Sequence, residues 1–169
     1  QTVDAQGRRD DEGDVVMKFI ELPKGKQAIV DDDLYDSLVQ LHWTICPQGY
    51  AWIDINTKAG RYKVYMHRLI LQVPQGLQTD HINGNRLDNR LHNLRMATHA
   101  ENVRNIGPRS SNKCGLKGVR FHEGRKRYGA QIVFNWKAIH LGWFKTKEEA
   151  HAAYCAAAAD FHGEFAKTK

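Results

Sequence analysis

The sequence predicts an α+β protein with a small N-terminal α+β unit and a C-terminal three-stranded antiparallel sheet packed on one helix. Three observations carry this prediction. Short apolar runs of strand type are separated by turns rich in Gly, Pro and Asn. Two Thr-x-x-Glu capping boxes mark the starts of helices, and an Ala-rich run of high helix propensity follows the second box. The length of 169 residues suits one or two small domains.

The first predicted unit alternates strands and helices. Residues 1–16 are polar and acidic, which predicts a disordered leader. Asp31 is the expected N-cap of a helix that carries Leu34, Leu38 and Leu41 at helical spacing. Apolar alternation and turn residues predict strands over 15–22, 27–30, 42–46, 50–55 and 61–66, and a short helix over 67–73.

The next segment predicts a β-hairpin followed by a helix. Asn83-Gly84 is a hairpin-turn signal. Thr98 and Glu101 form the first capping box, so a helix should begin there and carry Asn102 in its first turn. The hairpin contains the pair Asp80-His81. Asn93 follows His81 by twelve residues, and Asn102 follows Asn93 by nine.

The C-terminal part predicts three strands and then one helix. Residues 107–117 are rich in Gly, Ser, Asn and basic side chains, which is typical of a linker. Strands are expected over 118–122, 128–134 and 138–144. Thr146 and Glu149 form the second capping box. The helix that follows should present one face of small and aromatic residues to the sheet: Ala150, Tyr154, Ala157 and Phe161.

The composition excludes several classes of protein. The three cysteines are far apart and never form a C-x-x-C pair, which argues against a disulfide framework and a Cys-rich zinc site. No apolar run approaches the roughly 18 residues of a membrane helix, so a soluble intracellular protein without a membrane partner is expected. The net charge is +6, and residues 107–147 hold ten Lys and Arg against the single acid Glu123. This clustering predicts a polyanionic partner, and a solvated basic linker is the alternative.

Two parts of the chain resemble known families. The stretch TDHINGNRLDNRLHNLRMATHAENVRN resembles the HNH endonucleases, which are built on the ββα-metal motif, and more closely the HNH homing endonucleases of phages and group I introns with Asn in the third position. Residues 118–165 resemble the ethylene-response-factor (APETALA) type of DNA-binding domain, which accompanies HNH nucleases in phages. The resemblances imply a nuclease domain over 17–106, with its ββα-metal motif at about 77–106, and a DNA-binding domain over 118–166.

The first resemblance implies a metal-dependent DNA endonuclease of homing type that acts in the cytoplasm of a bacterial or phage-infected cell. An imidazole that titrates near neutrality suits a general base, so His81 is predicted to activate water. A carboxylate and an amide oxygen suit Mg²⁺ or Mn²⁺, so Asp80 and Asn102 are predicted to hold one ion. Asn93 is predicted to tie the hairpin arms together and orient His81. Because neighbouring strand residues point to opposite faces, either the strand bends or ends at Asp80-His81, or the metal lies at its edge.

The second resemblance implies that the exposed face of the C-terminal sheet reads double-stranded DNA. The side chains predicted to read bases are Arg120, Arg125, Arg127 and Gln131, with Lys137 and His140 as further candidates. Phosphate contacts are predicted for Arg109, Lys113, Lys117, Lys126 and Lys145. Trp136 and Trp143 are candidates for contacts to sugars, and packing in the core is an equal alternative for Trp143.

A DNA-binding protein without catalysis, such as a repressor, is the competing hypothesis. A repressor would have no need to keep Asp80, His81 and Asn102 together. The sequence leaves open whether the protein is a monomer or a homodimer.

Overall fold

The computed structural model describes residues 17–168, so the predicted leader over 1–16 lies outside the described residues. Helices and strands are mixed within that range, and the C-terminal three-stranded antiparallel sheet packs on the last α-helix, which confirms the predicted α+β class. The chain divides into two compact units. The first comprises the residues up to Pro74 together with Asn85–Arg95, and the second comprises Gln75–Gly84 together with the residues from Met96 onward.

The first unit contains the predicted strands and both predicted helices. The element bounds are β1 Met17–Leu22, β2 Lys26–Asp31, α1 Asp32–Leu38, β3 Thr44–Ile45, β4 Ala51–Thr57, β5 Gly60–Tyr65 and α2 Met66–Leu71. The hairpin of β1 and β2 is antiparallel, and β3, β4 and β5 form a second antiparallel sheet in that order. The core of the unit is built from apolar side chains of both sheets, α1 and α2, among them Ile20, Val30, Leu38 and Met66.

Helix α1 is shorter than its leucine spacing predicts. It ends at Leu38, and Leu41 lies beyond it with 37% of its surface exposed. The indole Nε1 of Trp43 donates a 2.7 Å hydrogen bond to the Leu38 carbonyl. This bond satisfies a carbonyl that a continuing helix would have used for its own backbone.

A loop of the first unit is held against β2. The Ile29 amide donates to the Leu87 carbonyl at 2.8 Å, and the Asn89 amide donates to the Ile29 carbonyl at 2.8 Å. Asp31 occupies the predicted N-cap position of α1, but its side chain makes no capping bond. It accepts a 2.7 Å hydrogen bond from the Leu91 amide instead. The residue that was expected to begin a helix therefore also fixes this loop.

The second unit begins with strand β6, Gln78–His81, which forms a two-stranded sheet with β7, Leu94–Ala97. The predicted order of two paired strands and then a helix is confirmed, but Asn83-Gly84 does not by itself connect the two strands. Gly84 has a φ of +78° and its amide donates to the His81 carbonyl at 2.8 Å, but twelve residues, 82–93, separate the two strands. Leu87 and Asn89 of that loop form backbone hydrogen bonds with Ile29 of β2, so the chain does not fold straight back from β6 into β7. Helix α3, His99–Asn105, begins with the predicted capping box at Thr98.

The C-terminal part contains β8 Val119–His122, β9 Arg127–Phe134, β10 Lys137–Phe144 and α4 Lys147–His162. The sheet has the order β10-β9-β8 and a β-bulge between His140 and Gly142. Helix α4 begins with the predicted capping box at Thr146, but the side chains that it buries are Ala150, Tyr154, Ala158 and His162. The predicted face is thus shifted by one residue in the last two turns.

The last residues of the predicted linker pack with this sheet, since Cys114 and Leu116 are partly buried against the cluster of Val119, Ala130 and Ala150. The domain boundaries inferred from the sequence stay predictions. Within residues 17–168, none of the helices has the length and apolar character needed to cross a bilayer.

Candidate functional site

The Asp80-His81 pair lies at the C-terminal end of strand β6. Only 3% of Asp80 and 5% of His81 is exposed. The strand ends at His81, which was one of the alternatives that the sequence left open, and the chain turns there with a 2.8 Å hydrogen bond from the Gly84 amide to the His81 carbonyl. Because the strand ends there, the side chains of Asp80 and His81 need not point to opposite faces as they would within a regular strand, and both can be buried.

One face of helix α3 lies against β6. The amide Nδ2 of Asn102 donates to Oε1 of Gln78 at 2.8 Å, and Nε2 of Gln78 lies 3.2 Å from Nδ1 of His99. The carbonyl oxygen of the Asn102 side chain has no hydrogen-bond partner among the described residues. Gln78 was not among the predicted site residues. The hydrogen bond to Gln78 uses the nitrogen of the Asn102 side-chain amide, so the amide oxygen remains available to bind a metal ion.

A second asparagine on the same helix contacts Asp80. Nδ2 of Asn105 donates to Oδ1 of Asp80 at 2.8 Å and to the His81 carbonyl at 2.9 Å, and only 8% of Asn105 is exposed. Asn105 was not among the predicted site residues. Its position three residues after Asn102, in a helix whose start was fixed by Thr98, was the signal that could have placed it on the same face.

The donor atoms of this site fit a hard divalent cation. Asp80 supplies a carboxylate and Asn102 supplies an amide oxygen, and the elements that carry them, β6 and α3, contact each other. Within residues 17–168 no group of three or more His, Cys, Asp and Glu side chains is arranged to hold a metal ion. With Asp80 and Asn102 as its protein ligands, an ion at this site would keep several water ligands, which is the usual mode of Mg²⁺ binding.

Asn93 belongs to the first unit and braces its own loop. It is 3% exposed, and its Nδ2 donates to the Asp88 carbonyl at 2.7 Å. The Asp88 carboxylate is paired with Arg90 through two hydrogen bonds of 2.8 Å, and this pairing raises the pKa of the Arg90 guanidinium. Neither Asp88 nor Arg90 was predicted. The bond to Asp88 explains why Asn93 is buried, and its expected role in orienting His81 stays a prediction.

The face of the C-terminal sheet opposite α4 collects most of the predicted DNA-reading residues. We call this surface the outer sheet face; it is defined by the cross-strand register and by ring contacts. Gln131 pairs with His140, Arg127 with His122, and Arg120 with Gly129. Lys137 is exposed, but it pairs with Phe134 across the strands, and this pair belongs to the face of the sheet that packs on α4. The members of the outer sheet face are Arg120, His122, Arg125, Arg127, Gln131, His140 and Trp143.

Trp143 lies at the centre of the outer sheet face rather than in the core. Its ring is 4.8 Å from the His140 ring and 5.2 Å from the His122 ring, and the Arg125 guanidinium lies 5.0 Å above it. Trp143 also covers Gly129, where an added Cβ would lie 2.8 Å from the indole. Trp136, by contrast, stands at the tip of the β9–β10 turn with a φ of +64° and 91% exposure.

The predicted phosphate contacts of the linker differ in their environments. Arg109 and Lys113 are exposed. Lys117 is partly buried, and its Nζ donates a hydrogen bond to the Arg104 carbonyl in the last turn of α3. Burial, with the nearby charge of Lys167, lowers the pKa of Lys117 to about 8. The Lys117 ammonium is thus engaged within the protein.

We expect Lys117→Met to remove a pH dependence from the free energy of unfolding. The pKa of Lys117 is about 8 in the folded protein, against an ordinary value of 10.5. Between these values the unfolded chain binds a proton that the folded chain has released, so wild-type stability should rise with pH. One proton limits the slope to about 1.4 kcal/mol per pH unit.

Urea unfolding of both proteins between about pH 8 and pH 10 measures this slope. The range stops there because burial raises the pKa of Tyr154 to about 12, which makes stability fall above the ordinary tyrosine pKa of 10. Equal slopes in the two proteins would contradict the assignment to Lys117.

The chain is similar to known proteins over most of its length. A family profile described as HNH endonuclease matches residues 64–104. The chain is 30% identical over 159 residues to an uncharacterized HNH endonuclease of Acanthamoeba polyphaga mimivirus, which covers 90% of this chain and 81% of the relative. It is 32% identical over 97 residues to Protein 3.8 of Escherichia phage T7, covering 56% of this chain and 78% of that protein. It is 36% identical over 65 residues to a putative HNH homing endonuclease from the SPbeta prophage of Bacillus subtilis (strain 168), covering 35% and 38% of the two chains.

Proposed function

The chain belongs to the HNH endonuclease family, and we propose that it is a metal-dependent DNA endonuclease of the homing type whose active site is the end of strand β6. One observation carries the proposal. Buried Asp80 and His81 stand side by side at that strand end, and helix α3 presents Asn102 and Asn105 to the same strand. The similarity to a putative homing endonuclease of a Bacillus subtilis prophage supports the homing type.

In this proposal His81 is the general base. Hydrolysis of a phosphodiester requires a water molecule that loses a proton as it attacks phosphorus, and an imidazole accepts that proton near neutral pH. His81 is held at a fixed strand end, since its carbonyl accepts hydrogen bonds from Gly84 and Asn105. A fixed backbone limits the positions of the imidazole, and orientation of this kind contributes directly to rate.

Asp80 and Asn102 would hold one Mg²⁺ or Mn²⁺ ion. When bound, such an ion neutralises charge at the scissile phosphate and stabilises the leaving oxygen. The Asn105 amide donates a hydrogen bond to Oδ1 of Asp80. Oε1 of Gln78 accepts a hydrogen bond from the Asn102 amide and so fixes the plane of that amide. Asn93, braced through the Asp88 carbonyl, would keep its loop rigid and orient His81.

The outer sheet face would bind double-stranded DNA. A twisted sheet can enter the major groove, where Arg reads guanine and Gln reads adenine through paired hydrogen bonds. The positive charge of residues 107–147 supplies attraction to phosphate that does not depend on sequence. The proposed place of action is the cytoplasm of the cell that holds the target. A monomer with one such centre cuts one strand, and a homodimer could cut both.

The change Asn102→Ala tests the metal role of this site. Loss of one of the two protein oxygens should raise the Mg²⁺ concentration needed for half-maximal cleavage about tenfold or more. The measurement is the rate of plasmid cleavage over a Mg²⁺ titration. Asn112→Ala is the matched control, because Asn112 also donates from a partly buried amide in the second unit, to the Leu116 carbonyl at 2.7 Å. An unchanged Mg²⁺ requirement in Asn102→Ala would contradict the assignment.

A further inference from the structure

The side-chain amide of Asn105 contacts three consecutive residues at the end of strand β6. Its Nδ2 lies 2.8 Å from Oδ1 of Asp80, 2.9 Å from the His81 carbonyl and 3.4 Å from the Ile82 carbonyl. All three partners are acceptors, so only the amide nitrogen, and not the amide oxygen, fits this position. The two shorter bonds use both hydrogens of the NH₂ group.

These bonds join three consecutive residues where β6 ends. The His81 carbonyl also accepts from the Gly84 amide at 2.8 Å, so both of its acceptor positions are used. A side chain that donates at once to the Asp80 carboxylate and to the next backbone carbonyl fixes the carboxylate plane relative to the backbone. It also compensates a carboxylate that is only 3% exposed and would otherwise be costly to bury.

We propose that Asn105 is a positioning residue that holds the Asp80 carboxylate in the orientation needed to bind the divalent ion. This inference rests on the proposed metal role of Asp80. The hydrogen bond to Oδ1 fixes the plane of the Asp80 carboxylate, and Asn102, which would supply the amide oxygen, lies about one helical turn before Asn105 in α3. Asn105 lies one residue beyond the family match, which ends at residue 104.

The position of Asn105 also links the ion site to the end of helix α3. Asn105 is the last residue of α3, and the carbonyl of Arg104 accepts a hydrogen bond from the Lys117 ammonium. The helix end that carries Asn105 is thus held by the segment that leads into the C-terminal sheet. Small shifts of this end would move the donor away from Asp80, which makes the site sensitive to a residue that does not contact the ion.

The test is direct binding of Mn²⁺ to the full chain without DNA, followed by electron paramagnetic resonance of free Mn²⁺. Asn105→Ala should weaken Mn²⁺ binding about tenfold or more, because loss of a residue that orients a metal ligand typically costs 10- to 100-fold in affinity. Asn105→Gln keeps the donor on a longer arm and should recover part of the affinity. Asn112→Ala is the control, since it removes a comparable amide bond and should leave Mn²⁺ affinity unchanged.

A second measurement uses the unmodified protein, so the result does not depend on the folding of a variant. The side-chain amide resonance of Asn105 should be protected from exchange, and it should shift when Mg²⁺ is added. Equal Mn²⁺ affinity of Asn105→Ala and wild type, or an Asn105 resonance that does not respond to Mg²⁺, would overturn the inference and leave the metal role of Asp80 intact. Wild-type Mn²⁺ binding that survives Asp80→Ala would overturn both.

Discussion

Replacement of His81 by alanine should reduce DNA cleavage by about 10²- to 10⁴-fold while DNA binding is retained. The expected loss is large because a positioned general base contributes to the chemical step and not to the affinity for DNA. His81 stands at the end of β6 with 5% exposure, and its backbone is fixed by Gly84 and Asn105. The measurement is single-turnover cleavage at saturating Mg²⁺, beside an affinity measurement on the same DNA.

The matched control is His92→Ala, since His92 is an exposed imidazole in the neighbouring sequence. It should cleave at the wild-type rate. Addition of free imidazole should restore part of the activity of His81→Ala, because the variant lacks a base rather than a ligand. Cleavage by His81→Ala within a few fold of wild type would show that another group removes the proton.

Replacement of Trp143 by alanine should weaken specific DNA binding about ten- to a hundredfold, or about 1.4–2.7 kcal/mol. Trp143 supports Arg125 through a cation–π contact at 5.0 Å and lies between the rings of His122 and His140. Loss of the indole removes apolar contact area. It also leaves Arg125, His122 and His140 more mobile, and ordering them again on binding to DNA costs free energy. Equilibrium titration of labelled duplex by the full chain measures the effect.

Salt dependence separates the role of Trp143 from that of the charged residues. Trp143→Ala should leave the slope of affinity against salt unchanged, because no phosphate contact is lost. Lys113→Ala should reduce that slope by about one counterion, because the exposed Lys113 is one of the predicted phosphate contacts. Trp143→Phe keeps an aromatic platform over Gly129 and should lose little affinity. Wild-type affinity in Trp143→Ala with an intact fold would show that the outer sheet face does not bind the DNA.

The order of elements could be predicted from local signals. Thr98 and Thr146 begin helices in the structure because each forms the reciprocal bonds of a capping box with the glutamate three residues later. The period of a strand limited what could happen at Asp80-His81 to a few alternatives, and the structure has one of them, a strand that ends at His81. Signals of this kind act within a few residues, so the sequence contains them completely.

Contacts that depend on distant segments could not be predicted. Asn83-Gly84 has the composition of a hairpin turn, but the chain that follows bonds to β2, which lies far away in sequence. Trp143 follows His140 by three residues, so regular alternation would put them on opposite faces of the sheet. The bulge between His140 and Gly142 changes the register and brings both rings to the same side.

Only part of the candidate site could be predicted, because some of its contacts depend on how α3 packs against β6. The resemblance to the HNH endonucleases indicated Asp80, His81 and Asn102, and the chemistry of these residue types agreed with it. The bonds of Asn105 to Asp80 and of Gln78 to Asn102 arise only when α3 packs on β6. Helical spacing limits which side chains share a face with Asn102, but the angle at which a helix meets a strand is set by tertiary packing.

Cleavage of DNA that the protein is first shown to bind tests the central claim most directly. Duplexes selected by binding to the full chain would be inserted in a supercoiled plasmid and incubated with Mg²⁺, with Mn²⁺ or with EDTA. A metal-dependent endonuclease converts this plasmid to the nicked or linear form with either ion and leaves it supercoiled with EDTA. Binding of the selected DNA without cleavage in Mg²⁺ or Mn²⁺ would contradict the proposal and favour a DNA-binding protein that does not cut.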